Sequence, residues 1–319
     1  STLTTEPRRM PGRDDIEAAH QRVSRHIRRT PVLDVATGTF GVDVPLSLKL
    51  ELLQVTGSFK PRGAFNRMLT ADVGEAGVVA ASGGNFGLAV GHAAHTLGFH
   101  AEIFVPATSP TAKIERVRAS GADVTVVDGV YDDAAAAAAA RRSETGAVWM
   151  HPYDQPEVVA GQGTIGLELS QQVPGVETVV VSVGGGGLIA GIASWFVSGV
   201  RIVAVEPDTS RCLGAALEAG EPIEVPVSGI AVDSLGARRV GDIAFQVASA
   251  HVDRCLTVSE DDIRQAQRAI WGELRLLAEP GGATALAALT SGAYRPEPEE
   301  RVVVVVCGSN ADPVPVIGH

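Results

Sequence analysis

Six short runs dominated by valine, isoleucine and alanine recur along the chain: GVVAAS (77–82), AEIFVP (101–106), DVTVVD (123–128), TVVVSV (178–183), VRIVAVEP (200–207) and RVVVVVCG (301–308). They are almost continuously apolar, which suits strands covered on both faces rather than strands with one wet face. Longer alanine- and leucine-rich segments lie between them and have the length of crossover helices. The predicted class is therefore α/β, with mostly parallel, twisted sheets and helices on both faces. With 319 residues, 45% of them hydrophobic, the chain can bury enough core for two lobes. Three strand–helix units between about Gly77 and Met150 predict a smaller lobe over 77–153, inserted into a larger one made of 1–76 and 154–319. An insertion of this kind creates a cleft, and clefts bind ligands.

Several helix ends are readable. Ser259 before EDDIRQAQRAIWGEL predicts a capping box with Asp262, and Asp132 and Asp133 open a helix containing seven consecutive alanines, 134–140. AAHQRVSRHIRR near the start has helical spacing. Arg8, Arg9, Arg13, Arg22, Arg25, Arg28 and Arg29 crowd that end, but Asp14, Asp15 and Glu17 are interleaved, so a solvated helix face is expected there. The net charge of -11 argues against nucleic acid or an anionic membrane as partner. Three widely spaced cysteines, Cys212, Cys255 and Cys307, make neither a disulfide framework nor a zinc set. The absence of a membrane-length apolar run adds to this, and a cytoplasmic protein is expected.

The chemistry begins at Gly184, Gly185, Gly186 and Gly187, which follow one strand and precede a helix. Four side-chain-free residues let successive N–H groups converge at the positive end of the helix dipole, a cradle for a phosphate. A rival reading stays open: Gly185, Gly187 and Ala190 satisfy GxGxxA and Glu206 ends the next strand, the pattern of an NAD-dependent oxidoreductase.

The segment GSFKPRGA places Lys60 before Pro61, which is favoured at the first helical position. Helix-end amides and positive potential would lower the pKa of this amine and ready it for imine formation. The chain has only Lys49, Lys60 and Lys113 and otherwise uses arginine, so a lysine in this turn points to chemistry that arginine cannot perform. An imine-forming lysine together with a phosphate cradle implies a cofactor with both an aldehyde and a phosphate, pyridoxal 5'-phosphate. The remaining polar turn, ASGGNFG (81–87), follows an apolar run and precedes an alanine-rich helical pattern, so the backbone must turn tightly there while leaving polar groups free.

Taken in order, GSFKPRGAFNRM, ASGGNFG, HPYDQPEVVAGQGTIGLEL, VSVGGGGLIAGIA, AEPGGATALAAL and VVVVVCGSN resemble the motif series of the fold type II pyridoxal-phosphate enzymes, in the threonine/serine dehydratase and serine racemase group. The resemblance runs from about Asp15 to Asn310. It implies that Lys60 carries the cofactor and removes the substrate's α-proton, with Phe59 beside it. Gly184 to Gly187 and the Leu188 amide would bind the phosphate, and Asn85 the ring hydroxyl. Ser82, Gly83, Gly84, Asn85 and Phe86 would form the substrate loop, with Tyr153 in the pocket. Cys307 would stand beside the ring nitrogen as a neutral thiol, and Glu279 near the cofactor. Relatives are commonly dimers or tetramers, so a homo-oligomer is expected. The larger lobe would bind the cofactor and the smaller one the substrate.

The implied activity is elimination of water from a small β-hydroxy amino acid, L-threonine or L-serine, giving a 2-oxo acid and ammonia. Departures from the family's pattern bear on this reading. Gly83 stands where racemases of the group carry a second serine as acid/base, which disfavours serine racemase. Phe86 replaces a usual histidine and Tyr153 a racemase asparagine, which keeps open a larger substrate such as a phenylserine or a hydroxyaspartate. Of a cation site known in some relatives, Glu206 and Ser210 match while Cys212 replaces the aspartate, so no metal is expected. Ser234 replaces a glycine of the relatives' ADG loop. The chain ends at His319, and an appended regulatory domain is not expected. A pyridoxal-phosphate binding protein without turnover is the reading from a different class.

Overall fold

The structure, a computed structural model, describes residues 9–317; Arg8 and His319, used above, lie outside them. All six apolar runs form strands, and the class is α/β as predicted. The strands are β1 (Val32–Val35), β2 (Leu46–Lys49), β3 (Val78–Ala81), β4 (Ala101–Pro106), β5 (Asp123–Val127), β6 (Val148–Trp149), β7 (Thr178–Ser182), β8 (Arg201–Pro207), β9 (Arg254–Val258) and β10 (Val302–Val305). They make a six-stranded sheet in the order β1-β2-β10-β7-β8-β9 and a four-stranded sheet in the order β5-β4-β3-β6. Among these described strands only β1 pairs antiparallel, with β2; the other ladders are parallel.

Parallel pairing requires crossovers, and the helices between strands supply them: α2 (Pro61–Thr70), α3 (Asn85–Leu97), α4 (Thr111–Ala119), α5 (Tyr131–Thr145), α6 (Pro156–Gln172), α7 (Gly187–Phe196), α8 (Cys212–Ala219), α9 (Val232–Leu235), α10 (Asp242–His251), α11 (Glu260–Leu274) and α12 (Pro280–Thr290), with α1 (Arg13–Val23) before the first strand and α13 (Val314–Ile317) after the last. The larger sheet is covered on both faces. Val179 and Val181 point into one apolar cluster with α7 and α10, while Val180 points into another with α11 and α12. The second sheet packs Val78 and Ala80 against α3 and also against Ala64, Phe65 and Met68 of α2, a helix that precedes Gly77 in the chain.

The capping box at Ser259 and Asp262 is present, with the Ser259 hydroxyl accepting from Asp262 N at 3.2 Å. The alanine run lies within α5 behind Asp132 and Asp133. The N-terminal helix is shorter than its spacing suggested. α1 ends at Val23 because the chain is drawn away: Arg28 N donates to Gln54 Oε1 at 2.8 Å and its guanidinium to Leu53 O at 2.8 Å. Among the described residues, no helix is long and apolar enough to cross a membrane.

Candidate active site

The C-terminal ends of parallel strands open into one crevice, the usual ligand position in open α/β sheets. There β3 leads into Ser82 to Asn85, β7 into Gly184 to Gly187, and β10 into Cys307. Lys60 arrives from the larger sheet's side, and Tyr153 from the segment after β6. A cavity of about 660 Å³ is lined by every sequence-predicted cofactor and substrate residue: Phe59, Lys60, Ser82 to Phe86, Tyr153, Gly184 to Leu188, Glu279 and Cys307.

Each of the four glycines is glycine for its own reason. Gly186 caps α7 with φ of +90°, a left-handed conformation that side chains resist. A Cβ on Gly185 would stand 2.2 Å from the Tyr153 ring, one on Gly184 2.8 Å from Leu235 Cα, and one on Gly187 3.0 Å from Tyr153. The chain is thus pressed between neighbours while the first amides of α7, which have no acceptor within the helix, face an anion's natural position.

Lys60 is the N-cap of α2, with Pro61 at its first position. Its Nζ donates to Pro152 O at 3.0 Å and lies 5.0 Å from the Phe59 ring centroid and 5.6 Å from that of Phe86. Desolvation among these groups pushes the amine down to about 8, although Cys307 and Glu279 pull the other way. The expected shift is present, but burial rather than the helix end is its main cause.

AEPGGA and CGSN meet through backbone. A Cβ on Gly282 would stand 2.2 Å from Gly308 O, and one on Gly308 2.1 Å from Glu279 Oε1. This contact sets Glu279 and Cys307 together beside Lys60. Glu279 is only 6% exposed, and burial pushes its carboxyl up to about 7 against the opposing pull of Asn85 and Lys113. The Cys307 thiol donates to Gly281 O at 3.4 Å, and burial raises its pKa, so it stays neutral. Asn85 opens α3; its Nδ2 donates to Glu279 Oε1 at 2.6 Å and its Oδ1 accepts from Asn310 Nδ2 at 2.8 Å. Asn310 closes the CGSN motif but had not been singled out, and the Pro152 carbonyl that holds Lys60 carries no signal in the sequence at all.

The donor set fits pyridoxal phosphate: a desolvated amine for the aldehyde, a bare amide cradle at a helix start for the phosphate, and a neutral thiol and an amide for the ring. The model of the pyridoxal-phosphate dependent enzymes matches residues 23–308 of the chain. It is a pyridoxal-phosphate dependent enzyme. Among its relatives, an L-threonine ammonia-lyase of Thermotoga maritima is 35% identical over 309 residues, covering 94% of this chain and 75% of that one. A phenylserine dehydratase of Ralstonia pickettii is 32% identical over 318 residues, covering 97% and 96%. The solved structure of maize serine racemase superposes with a TM-score of 0.90 at 32% identity, covering 95% of each chain.

One lesser sequence reading is corrected by geometry. The dinucleotide reading required Glu206 to reach a ribose, but this pyridoxal-phosphate enzyme buries Glu206 completely, and its oxygens accept from Leu213 N at 2.7 Å and Gly214 N at 2.8 Å. As candidate metal ligands, Glu206 and Ser210 stand apart from the cavity lining. Cys255 Sγ also donates to Glu206 at 3.4 Å, and Ser210 Oγ donates to Leu235 O at 2.7 Å. Among the described residues no group of three or more His, Cys, Asp or Glu side chains could hold a metal ion.

Proposed function

We propose that this chain is a dehydratase of the ammonia-lyase type, acting on L-threonine or L-serine by α,β-elimination. The observation that carries the reading is the Lys60 amine, lowered to about 8, facing the glycine cradle across one cavity that also holds a neutral thiol and no second base at position 83. When bound, pyridoxal phosphate supplies an aldehyde that condenses with amines and a ring that delocalises the electrons left at the α-carbon. Lys60 Nζ takes the α-proton, and the ammonium so formed can return it to the β-hydroxyl, which leaves as water. The resulting enamine tautomerises and hydrolyses to the 2-oxo acid and ammonia. Ser82 and the amides from Gly83 to Phe86 grip the substrate carboxylate. Ser82 Oγ already accepts from Gly84 N at 3.3 Å, which orders the turn. These residues belong to the proposed substrate lobe, 77–153, and the cradle to the cofactor lobe.

Gly83 supports a lyase over a racemase. A Cβ there would stand 2.7 Å from both Ser109 Oγ and Val105 Cγ1, so a serine at 83 would require both side chains to give way. A second substrate reading, a phenylserine, is favoured by Phe86, Tyr131 and Tyr153 in the lining and by the size of the cavity. The purified protein should be yellow, release 2-oxo acid from L-threonine or L-serine, and lose about 10² to 10⁴ in rate on Lys60→Ala, the usual worth of a positioned proton-transfer group. Full turnover by Lys60→Ala would refute the assignment. Faster release from L-threo-phenylserine than from threonine would select the second substrate.

A further inference from the structure

Asn85 can face bound pyridoxal phosphate with either end of its amide, and the two ends do opposite things to a ring oxygen. Which end it presents is fixed by residues outside the motif that contains it. Arg116, on α4, carries only donors, and its Nη2 meets Asn310 Oδ1. The Thr56 carbonyl only accepts, and it takes a hydrogen from Asn310 Nδ2 at 2.8 Å. With both ends of Asn310 assigned, its second Nδ2 hydrogen goes to Asn85 Oδ1, also at 2.8 Å. The Asn85 oxygen is then occupied, and its Nδ2 faces Glu279 Oε1 at 2.6 Å with one hydrogen left to give.

The seat of Asn310 is built for it. Gly57 has φ of +78°, and a Cβ there would stand 2.7 Å from Asn310 Oδ1. Thr56, whose carbonyl anchors Asn310, is itself held at φ of 63°, a conformation uncommon outside glycine. The opening glycine of GSFKPRGA and the closing asparagine of CGSN are therefore two halves of one contact.

We infer that Arg116 and Asn310 form a relay that fixes Asn85 as a hydrogen-bond donor toward the ring oxygen of bound pyridoxal phosphate, with Asn310 the positioning residue. This rests on the proposed dehydratase reading in placing Asn85 at that oxygen. A donor there holds the oxygen as an anion, whereas an acceptor would drive a proton onto it.

The test uses purified holoenzyme and the visible spectrum of its cofactor. Asn310→Asp keeps the shape but carries only acceptors, so Asn85 must turn its nitrogen toward it and its oxygen toward the ring. Asn310→Ala removes the constraint without reversing it. The long-wavelength band of the anionic ring oxygen should give way to the short-wavelength band of the protonated one, more in Asn310→Asp than in Asn310→Ala. Cofactor affinity should fall about tenfold in the Asp variant, the scale of one hydrogen bond. Arg116→Glu, on an exposed helix position, should shift the bands in the same direction and serves if Asn310→Asp does not fold. A structural role alone would make the Ala variant, which leaves a hole, shift at least as much as Asp; that order, or an unchanged spectrum in both Asn310→Asp and Arg116→Glu, overturns the relay. A wild-type protein with no visible band would sink the dehydratase reading and the relay together. A yellow, active wild type with unshifted variants sinks the relay alone.

Discussion

The three lysines of this chain have three different fates, and only one suits chemistry. Lys49 Nζ is buried against Glu168 at 2.5 Å, Lys113 pairs with Asp233, and Lys60 ends on the Pro152 carbonyl in the cavity. An amine attacks an aldehyde only when neutral, so a pKa of about 8 has a kinetic signature. Below it, each pH unit removes about nine-tenths of the neutral amine, and at pH 7 about one amine in ten is free, against about one in three thousand for an ordinary lysine. When apo-protein is mixed with pyridoxal phosphate, the rate of colour formation should rise about tenfold from pH 6 to pH 7 and level off above about pH 8. A rate still climbing steeply near pH 10 would show an ordinary, solvated lysine. The rarity of lysine in the sequence and the Lys-Pro step marked Lys60; what lowers its pKa, burial in the folded cavity, is a tertiary fact.

At the scale of elements, most strands legible in the sequence are buried on both faces, such as β7 and β10, whose residues are buried throughout; β5, equally legible, is instead a largely exposed edge strand, because an apolar run marks a strand without saying that both its faces are covered. β1 and β9 are partly exposed edge strands, and β6 has two residues. β6 and β9 pair with β3 and β8, far away in the chain, and β1 with the nearby β2; all three are short or polar enough that no apolar run announces them. The glycine loop was legible for a reason that proved incomplete. Amide access to a phosphate explains why side chains are unwelcome, but the structure adds that Tyr153 lies directly against the loop. Gly185→Ala would set a methyl 2.2 Å from that ring, whose hydroxyl donates to Arg239 O at 3.2 Å and resists retreat. The forced displacement should cost about 1–3 kcal/mol, read as a roughly tenfold or greater loss of cofactor affinity by titration of the apo-protein. Adding Tyr153→Ala should restore most of that affinity; if it does not, the ring is not the obstacle.

Across the whole molecule, the site is braced from behind by four buried charges that no motif advertised as a unit. Arg62, two residues after Lys60, uses all five of its donors. Nε and Nη2 bond Glu51 at 2.8 and 2.7 Å, Nη1 and Nη2 bond Glu168 at 2.8 and 3.0 Å, and Nη1 also bonds Thr164 at 2.9 Å. Lys49 completes the balance on Glu168, and none of the four is more than 1% exposed. The cluster ties β2, α2 and α6 together, so it fixes the direction in which α2 presents Lys60. Arg62→Met would leave two buried carboxylates facing one ammonium. Losing one partner of such a network costs about 3–5 kcal/mol, and urea unfolding of the apo-protein near pH 7 should show a deficit of that order. The pH dependence distinguishes lost charge pairing from lost packing. In the wild type, Arg62 and Lys49 hold the Glu168 carboxyl below its ordinary value against the opposing effect of burial, so its contribution is present above the unfolded pKa and fades as pH falls through the folded one. In the variant, an unpaired buried carboxylate has a raised pKa and takes up a proton readily, so its penalty is greatest at neutral pH and shrinks on acidification. The stability gap between the two proteins should therefore narrow from pH 7 toward pH 4, and a gap constant across that range would assign the loss to the shape of the arginine rather than its charge.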